Sequence, residues 1–451
     1  MGKLFGTDGV RGVVNTELTC ELAFKLGRAG AYILARRYDC EQPRILIGKD
    51  TRASGDMLEA ALAAGICSVG AQVISVGTIP TPAIAYLSRY YQTQAGVVIS
   101  ASHNPFEYNG IKFFNADGYK LPDEVEDEIE ELILNDKLDN ISCTKTAEVG
   151  VIQVIDNAAL KYIDFLKSTV NISLEGMKIA VDCANGASYK VAPTVLEQLG
   201  ADVVIIGGCP NGKNINYNCG STHPEALQQF VLESKADAGL AFDGDADRLI
   251  AVDDKGELVD GDKILAICGI YLKEKGMLSK NTVVATIMSN LGLDITLKKA
   301  GCNVVRTAVG DRYVLEKMVE DDYVLGGEQS GHIIFRNHST TGDGLVTALQ
   351  LLTVMVDKGQ RLSDLSGIMK PLPQVLVNAR VKNNKKYDYI NDEVIAKEIE
   401  EIQQRFKDQG RVVIRPSGTE PLIRVMLEGT DKDYMEHHAQ KLVRLIEERL
   451  A

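Results

Sequence analysis

The sequence contains no C-x-x-C pair, although nine cysteines are scattered along its 451 residues. An odd number of scattered cysteines favours a reducing compartment over a disulfide framework. The sequence also lacks a long apolar span and lacks an N-terminal segment that is first charged and then apolar. We therefore expect neither a membrane helix nor a signal peptide, and we expect a cytoplasmic protein.

Basic residues are in deficit, since 49 Lys and Arg residues are set against 62 Asp and Glu residues and the formal net charge is −13. Phosphate backbones and anionic membranes attract basic surfaces, so we expect neither nucleic acid nor membrane as a partner. A local basic pocket for a small phosphate is compatible with this charge. The hydrophobic fraction of 45% is that of an ordinary globular protein, and the length predicts roughly three or four domains.

An apolar run that ends in a polar turn occurs three times, at residues 44–55, 177–188 and 281–292. Each run is followed by a helical pattern, a glycine that ends it and a second apolar strand. The three glycines are Gly70, Gly200 and Gly301. A third apolar strand then ends in a polar loop, within residues 96–114, 238–248 and 323–332. We predict three similar α/β domains with mixed, mainly parallel sheets, whose loops meet at one central cleft.

These patterns divide the chain into four predicted domains. Residues 1–154 contain the first of the polar loops, residues 155–254 the second and residues 255–370 the third. Prolines precede a fourth segment, residues 371–451, which does not follow the repeat. We predict an α+β fold for this C-terminal domain.

Three aspartates, Asp243, Asp245 and Asp247, alternate with small residues directly after an apolar strand. In an extended segment, carboxylates at alternate positions point to one side, where they repel unless a cation neutralises them. Oxygen ligands favour Mg²⁺, and no nearby histidine or cysteine suggests zinc. The segment lacks the later glycine and glutamate of an EF-hand loop. We predict a metal site, with a solvated acidic turn as the alternative.

Ser102 and His103 follow the apolar strand of residues 97–99. Neighbouring residues of an extended chain point apart and no G-x-S-x-G motif is present, which disfavours a serine hydrolase. A serine that carries a phosphoryl group needs a metal and basic partners, which the aspartate loop and nearby cations would supply. The candidate cations are Arg11, His103, Lys112 and Arg248. An ordinary polar loop, with His103 making a turn hydrogen bond, is the alternative.

Two further loops carry recognition chemistry. The first, GEQSGH at residues 327–332, places Glu328, Ser330 and His332 together, and such polar groups distinguish sugar hydroxyls. The second follows a predicted strand and combines guanidinium groups, hydroxyls and a glycine, as a phosphate cradle does. Its candidate residues are Arg415, Ser417, Gly418, Thr419 and Arg424. It lacks the G-x-x-x-x-G-K-[ST] motif of nucleotide P-loops, and a surface loop and a hairpin turn are the alternatives.

In order and spacing, these four loops resemble those of the α-D-phosphohexomutase superfamily over essentially the full chain. Three stretches are most similar to bacterial members that act on glucosamine phosphates: FGTDGVRG (5–12), SASHNPFEYNGIKFF (100–114) and GEQSGH (327–332). Relatives that act on glucose or mannose phosphates typically have methionine where this chain has Gln329. The resemblance implies four domains around a cleft. It also implies interconversion of glucosamine 6-phosphate and glucosamine 1-phosphate, a step toward UDP-N-acetylglucosamine and the bacterial cell wall.

The resemblance also implies the cofactors and site roles. Ser102 would be a phosphoserine, one Mg²⁺ would bind its phosphate and the three aspartates, and glucosamine 1,6-bisphosphate would be the intermediate. Lys112 would be the general base, with its pKa lowered by burial among positive groups, and His332 a second acid–base group. Glu328 and Ser330 would bind sugar hydroxyls. The C-terminal cradle would hold the non-reacting phosphate.

The resemblance to bacterial relatives further implies a homodimer that binds a small sugar phosphate. Three alternative functions are compatible with the same loops. They are a mutase for glucose or mannose phosphates, a metal-dependent sugar-phosphate phosphatase and a non-catalytic sugar-phosphate sensor.

Overall fold

The computed structural model describes residues 4–6, 8–135, 137–141, 148–407, 410–417 and 421–450. The chain divides into two compact units, the first formed by Met1–Thr286 with Gly301–Ile368 and the second by Ile287–Ala300 with Met369–Ala451. Among the described residues, no helix is both long enough and apolar enough to cross a membrane.

The first domain is built on a sheet with strand order β1-β5-β4-β2-β3-β6. Its strands are β1 (Val10–Val13), β2 (Arg44–Lys49), β3 (Gln72–Thr78), β4 (Ala95–Ile99), β5 (Tyr108–Asn115) and β6 (Ile152–Val154). Its helices are α1 (Cys20–Arg37), α2 (Gly55–Cys67), α3 (Thr81–Tyr90) and α4 (Asp123–Leu134). Strand β4 is buried at every position, as its unbroken apolar sequence predicts for a central strand.

The second domain has a sheet with strand order β11-β10-β9-β7-β8. Its strands are β7 (Lys178–Asp182), β8 (Asp202–Ile206), β9 (Ala238–Phe242), β10 (Leu249–Asp253) and β11 (Leu258–Val259). Its helices are α5 (Ala158–Ser168), α6 (Val191–Gln198) and α7 (Glu225–Ser234). Strands β9 and β10 are buried throughout, so the loop that joins them starts and ends on fixed backbone.

The third domain has a sheet with strand order β13-β12-β14-β15. Its strands are β12 (Thr282–Thr286), β13 (Asn303–Thr307), β14 (Leu325–Gly327) and β15 (Ile333–Phe335). Its helices are α8 (Gly261–Glu274), α9 (Leu291–Lys299), α10 (Asp311–Glu320), α11 (Gly344–Lys358) and α12 (Leu362–Ser366). Helix α9 belongs to the second compact unit, whereas the sheet belongs to the first.

The predicted threefold repeat is confirmed by sheet topology. The first strand of each repeat is β2, β7 or β12. It lies between the second strand of the repeat (β3, β8 or β13) and the third (β4, β9 or β14), and all three are parallel. The third strand is followed by a loop and by an antiparallel fourth strand, in the pairs β4–β5, β9–β10 and β14–β15. Gly70, Gly200 and Gly301 adopt φ angles of 86°, 101° and 71°, the left-handed conformation that ends a helix. Each repeat therefore presents one loop at the carboxyl end of its third strand.

The second compact unit contains the C-terminal α+β domain. Its antiparallel sheet has the order β16-β18-β17. The strands are β16 (Gln374–Arg380), β17 (Gly410–Pro416) and β18 (Leu422–Gly429), and the helices are α13 (Glu393–Phe406) and α14 (Lys432–Leu450). Buried residues of both helices, including Ile402 and Leu442, pack on the sheet beside Val425. The predicted fold class is confirmed for this domain as well.

Close packing of α1 on α2 gives a stability prediction. A Cβ added to Gly65 would lie 2.1 Å from the carbonyl oxygen of Phe24. Gly65→Ala should therefore destabilise the first domain by about 1–3 kcal/mol, although alanine is the better helix former. Calorimetry should show a lower Tm. Ala64→Ser, at the exposed neighbouring position, is the control, with an expected change within about 0.5 kcal/mol. A Tm for Gly65→Ala equal to that of the wild type would contradict the packing argument.

Candidate functional site

The loops at the carboxyl ends of β4, β9 and β14 lie together within the first compact unit. The Ser102 hydroxyl of the first loop donates a hydrogen bond to Asp243 Oδ2 of the second, at 2.6 Å. Arg248 of the second loop forms a β-bridge with His332 of the third. We name them the serine loop (residues 100–107), the metal loop (243–248) and the sugar loop (328–332). The sequence placed these loops at one cleft, and the contacts between them agree with that prediction.

Each of the three loops contains a residue in the left-handed conformation. The φ angles are 52° at Ser102, 58° at Ala246 and 90° at Gly331. Only glycine adopts this conformation without steric cost, so the surrounding structure must hold Ser102 and Ala246 in place. In each repeat, the left-handed residue helps to turn the chain from the third strand back into the fourth.

The metal loop brings its three carboxylates together. Asp243, Asp245 and Asp247 are buried, and one oxygen of each lies within 4.8 Å of the others. The turn at Ala246 produces this convergence, so the segment is not extended as the alternation of aspartates had suggested. Burial and the charges of Asp247 and Asp245 raise the pKa of Asp243 well above its ordinary value. This arrangement favours a bound cation.

The donor set fits a divalent cation that prefers oxygen ligands. Oδ1 of Asp245 and Oδ1 of Asp247 are buried and accept no hydrogen bond. Such buried oxygens need a partner, because an unsatisfied polar group is costly. The other oxygen of Asp245 is held by the hydroxyl of Thr81 at 2.7 Å and by Lys112 Nζ at 3.0 Å. One face of this carboxylate is therefore fixed while the other is free for a metal.

Lys112 is buried between two carboxylates. Its Nζ lies 3.0 Å from Asp245 Oδ2 and 3.0 Å from Asp8 Oδ2. Burial acts to lower the pKa of Lys112, but the charges of Asp245 and Asp8 outweigh it and raise that pKa. The prediction that positive neighbours would lower the pKa is wrong, because its nearest charged neighbours are carboxylates. Lys112 is therefore a cation in this arrangement.

Further ion pairs continue from Asp8 into the third domain. Lys120 Nζ lies 2.6 Å from Asp8 Oδ1 and 2.6 Å from Asp311 Oδ2. Asp311 Oδ2 lies 3.5 Å from His332 Nε2, which in turn lies 3.9 Å from Asp247 Oδ2. The sequence-based site did not include Asp8, Lys120 or Asp311. The presence of Asp8 in the glycine-rich segment FGTDGVRG was the available signal.

Two predicted cations flank the serine and metal loops. Arg11 pairs with the Asp8 carboxylate. The half-buried ring of His103 has its Nδ1 3.4 Å from Ser102 Oγ. Burial and the charges of Arg248 and Arg11 lower the pKa of His103 to about 4. In the protein without a phosphate on Ser102, His103 is thus neutral near pH 7 and adds no positive charge beside the serine.

The sugar loop is tied to neighbouring turns. Glu328 Oε1 accepts a hydrogen bond from the Gly310 amide at 3.2 Å, just before α10. Gln329 Nε2 donates to Asp260 Oδ2 at 3.1 Å, at the start of α8. Ser330 is exposed, so its hydroxyl is available to a ligand. Of the predicted sugar-binding residues, Glu328 is therefore partly engaged and Ser330 is accessible.

The predicted phosphate cradle lies in the second compact unit. Arg415 of β17 is directly opposite Arg424 of β18. Burial and the charge of Arg424 lower the pKa of Arg415. Ser417 is buried, and its carbonyl accepts a hydrogen bond from Lys386 Nζ at 2.7 Å. Paired guanidinium groups suit an anion. The predicted residues Gly418 and Thr419 lie outside the described residues.

Comparisons with known proteins follow the same four-part organisation. The phosphoglucomutase/phosphomannomutase alpha/beta/alpha domains I, II and III match residues 2–140, 160–256 and 260–372, and the C-terminal domain matches residues 376–445. A phosphoglucosamine mutase of Ruminiclostridium cellulolyticum is 61% identical over 451 residues, which cover 100% of both chains. One of Acetivibrio thermocellus is 60% identical over 450 residues, again covering 100% of both. The chain belongs to the phosphoglucomutase/phosphomannomutase family.

Solved structures of this family have the same fold. A phosphoglucomutase/phosphomannomutase family protein of Burkholderia thailandensis has a TM-score of 0.80 and 22% identity, covering 99% of this chain and 98% of its own. The N-acetylphosphoglucosamine mutase of Aspergillus fumigatus, in complex with GlcNAc-6P and magnesium, has a TM-score of 0.68 and 18% identity, covering 100% of this chain and 96% of its own. The predicted membership of the phosphohexomutase superfamily is confirmed.

The geometry of the metal loop predicts that Mg²⁺ stabilises the folded chain. At a concentration of 100 times Kd, binding should add about 2.7 kcal/mol to the free energy of unfolding, seen as a higher Tm. Asp247→Asn should lose most of this increase, because it removes one ligand oxygen and one negative charge. Asp202→Asn, at an exposed position of the same domain, should keep it. An equal increase in Tm in the wild type and Asp247→Asn would exclude the metal loop as the binding site.

Proposed function

We propose that the chain interconverts glucosamine 6-phosphate and glucosamine 1-phosphate through a phosphoserine at Ser102. The observation that carries this proposal is the 2.6 Å contact between the Ser102 hydroxyl and Asp243, which is one of the three buried carboxylates of the metal loop. The full-length relatives at about 60% identity, each named phosphoglucosamine mutase, support the amino-sugar substrate. A serine beside a carboxylate cluster suits phosphoryl transfer, because a phosphoserine and a divalent cation neutralise one another.

Asp243, Asp245 and Asp247, together with the phosphorylated Ser102, would hold one Mg²⁺. When bound, Mg²⁺ neutralises charge on the phosphoryl group during transfer, usually the largest electrostatic contribution to such a reaction. Arg248 and Arg11 add positive charge from either side of this site. The raised pKa of Asp243 supports the same assignment, because it reflects repulsion from neighbouring carboxylates that a bound cation would offset.

Ser102 gives its phosphoryl group to the free hydroxyl of the sugar monophosphate, which forms glucosamine 1,6-bisphosphate. The bisphosphate turns over in the cleft and returns its other phosphoryl group to Ser102. Each transfer takes one proton from the attacking hydroxyl and gives one to the leaving oxygen, which is Ser102 Oγ in the first transfer and the sugar oxygen in the second. The protonated Lys112 is the candidate donor to the leaving oxygen. The lysine amine formed is then the base that accepts the proton of the attacking hydroxyl, so that Lys112 is protonated again when the transfer ends. His332, oriented by Asp311, is the second acid–base candidate.

Two loops carry the proposed recognition residues. Glu328 and Ser330 bind sugar hydroxyls, because such positions are distinguished by hydrogen bonds. Arg415, Ser417 and Arg424 bind the phosphate that does not react, together with the predicted Gly418 and Thr419. Arginine pairs bind phosphate through parallel N–H donors, which fixes both its position and its orientation. A homodimer remains a prediction from the resemblance to bacterial relatives.

Removal of the serine hydroxyl tests the phosphoryl carrier. Wild-type protein should show the mass of one added phosphate in at least part of the sample, and Ser102→Ala should show none and lose isomerase activity. The control is Ser68→Ala, which removes a hydroxyl that donates to the Gly65 carbonyl, and it should keep both the added phosphate and the activity. Full activity of Ser102→Ala would exclude the phosphoserine. Release of free phosphate without isomer would favour a phosphatase, and ligand binding without turnover would favour a sensor.

Substrate choice can be measured with coupled assays on sugar 1-phosphates. We expect kcat/KM for glucosamine 1-phosphate to exceed that for glucose 1-phosphate and mannose 1-phosphate by at least about tenfold. Sites that hydrogen-bond a substrate amine or hydroxyl discriminate by this factor or more. Ser102→Ala should be inactive on all three substrates. Activity on glucosamine well below activity on glucose would assign the chain to the glucose and mannose branch of the family.

A further inference from the structure

The backbone of the serine loop is held by one buried arginine. Arg52, in the turn between β2 and α2, is 3% exposed. Its Nη2 donates to the carbonyl oxygens of Ser102 and Asn104, each at 2.9 Å, and its Nη1 donates to that of Pro105 at 2.6 Å. These bonds reach three carbonyls within four residues of the turn. The guanidinium therefore fixes the path of the chain from the nucleophile to the end of the turn.

Arg52 is itself fixed in orientation. Its Nε donates to Asp50 Oδ2 at 2.9 Å, and both side chains are fully buried. The same carboxylate oxygen accepts a hydrogen bond from Ser100 Oγ at 2.6 Å, and Ser100 Oγ accepts one from the Ser102 amide at 3.0 Å. Hydrogen bonds of this network therefore reach both the backbone amide and the backbone carbonyl of Ser102.

A second side chain that bonds the serine loop comes from the neighbouring domain. Asn216 Nδ2 donates to the Ser102 carbonyl at 2.8 Å and to the Asn104 carbonyl at 3.0 Å, the same two oxygens that Arg52 Nη2 contacts. Asn216 is buried and lies in a segment between β8 and α7. The serine loop therefore accepts hydrogen bonds from side chains of both the first and the second domain, which are also the two domains that form the Ser102–Asp243 contact.

We propose that Arg52 and Asn216 are positioning residues for phosphoryl transfer. Their bonds end on backbone carbonyls, so they act on the reaction through the orientation of Ser102. The left-handed φ of 52° at Ser102 is unfavourable for serine, and these bonds hold it there. Its hydroxyl is thereby aimed at the metal loop, and a phosphoryl group would be carried at one fixed position through both transfers. This inference rests on the proposed function.

Arg52→Lys is the first test, because one ammonium group cannot reproduce three carbonyl bonds together with the bond from Nε to Asp50. We expect kcat to fall about 100-fold, as for a reacting group displaced by about 1 Å. KM for glucosamine 6-phosphate should stay within about threefold, since Arg52 does not contact the sugar. In a single turnover of phosphorylated protein, the rate of phosphoryl transfer from Ser102 should fall by the same factor as kcat.

Asn216→Gly is the second test, because it removes both donors and glycine adopts the left-handed φ of 59° at this position without strain. We expect a fall in kcat of about tenfold, again with KM unchanged. There are two matched controls. They are Arg44→Lys, which loses a bond to the Tyr91 carbonyl, and Asn218→Gly, at an exposed position whose φ of 51° is also left-handed.

The controls should keep kcat within about threefold even where their Tm falls. If both Arg52→Lys and Asn216→Gly retain wild-type kcat, or if kcat falls equally in the controls, the positioning role is excluded. A wild type that carries no phosphate on Ser102 and does not isomerise the substrate would instead refute the proposed function. Where Arg52→Lys fails to fold, the Asn216→Gly measurement decides alone.

Discussion

Repulsion among three buried carboxylates is the constraint on which the rest of the candidate site depends. The ligand oxygens of Asp243, Asp245 and Asp247 lie within 4.8 Å of one another. Two unit charges at that separation repel by about 3 kcal/mol at an effective dielectric constant of about 20. The second domain supplies Arg248, whose Nε lies 3.8 Å from Asp247 Oδ1, and the first domain supplies Lys112, which contacts Asp245. The metal loop is therefore only partly compensated by its own domain, and the compensation increases when the first domain lies against it and when a divalent cation binds Asp245 and Asp247.

The ion pairs that compensate these negative charges continue from residue to residue. Lys112 contacts Asp8, Asp8 contacts Lys120, and Lys120 contacts Asp311 in the third domain. Buried ion pairs contribute little net stability, because the desolvation of each charge offsets their attraction. They do penalise any arrangement in which one partner is missing. We infer that this series of pairs selects one mutual arrangement of the first three domains, the one in which the serine, metal and sugar loops meet. The threefold repeat supplies similar scaffolds, and the charges decide how the scaffolds fit together.

The sequence was sufficient for features that are encoded locally. Apolar runs, helix-ending glycines and polar loops recur with the same spacing, and this repetition predicted the three sheets and the position of Ser102 and the aspartates. It was insufficient where a role depends on a partner far along the chain. The pKa of Lys112 is set by Asp8 and Asp245, which are 104 and 133 residues away from it in the sequence, so its direction was predicted wrongly. Arg52 was visible only as part of a polar turn after β2, because nothing in its local sequence reveals that it bonds the serine loop.

Comparison of the three loops indicates why the serine loop keeps an unfavourable conformation at Ser102. The left-handed position is occupied by glycine in the sugar loop, by alanine in the metal loop and by Ser102 in the serine loop. For a residue other than glycine the conformation costs roughly 1–2 kcal/mol. Glycine would remove that cost at position 102, but it would also remove the hydroxyl. The donors of Arg52 and Asn216 offset the cost at this loop, where a side chain is needed at the turn itself. Two of the three loops thus keep a residue other than glycine in the left-handed conformation, and in the serine loop the residue that bears this cost is the proposed nucleophile.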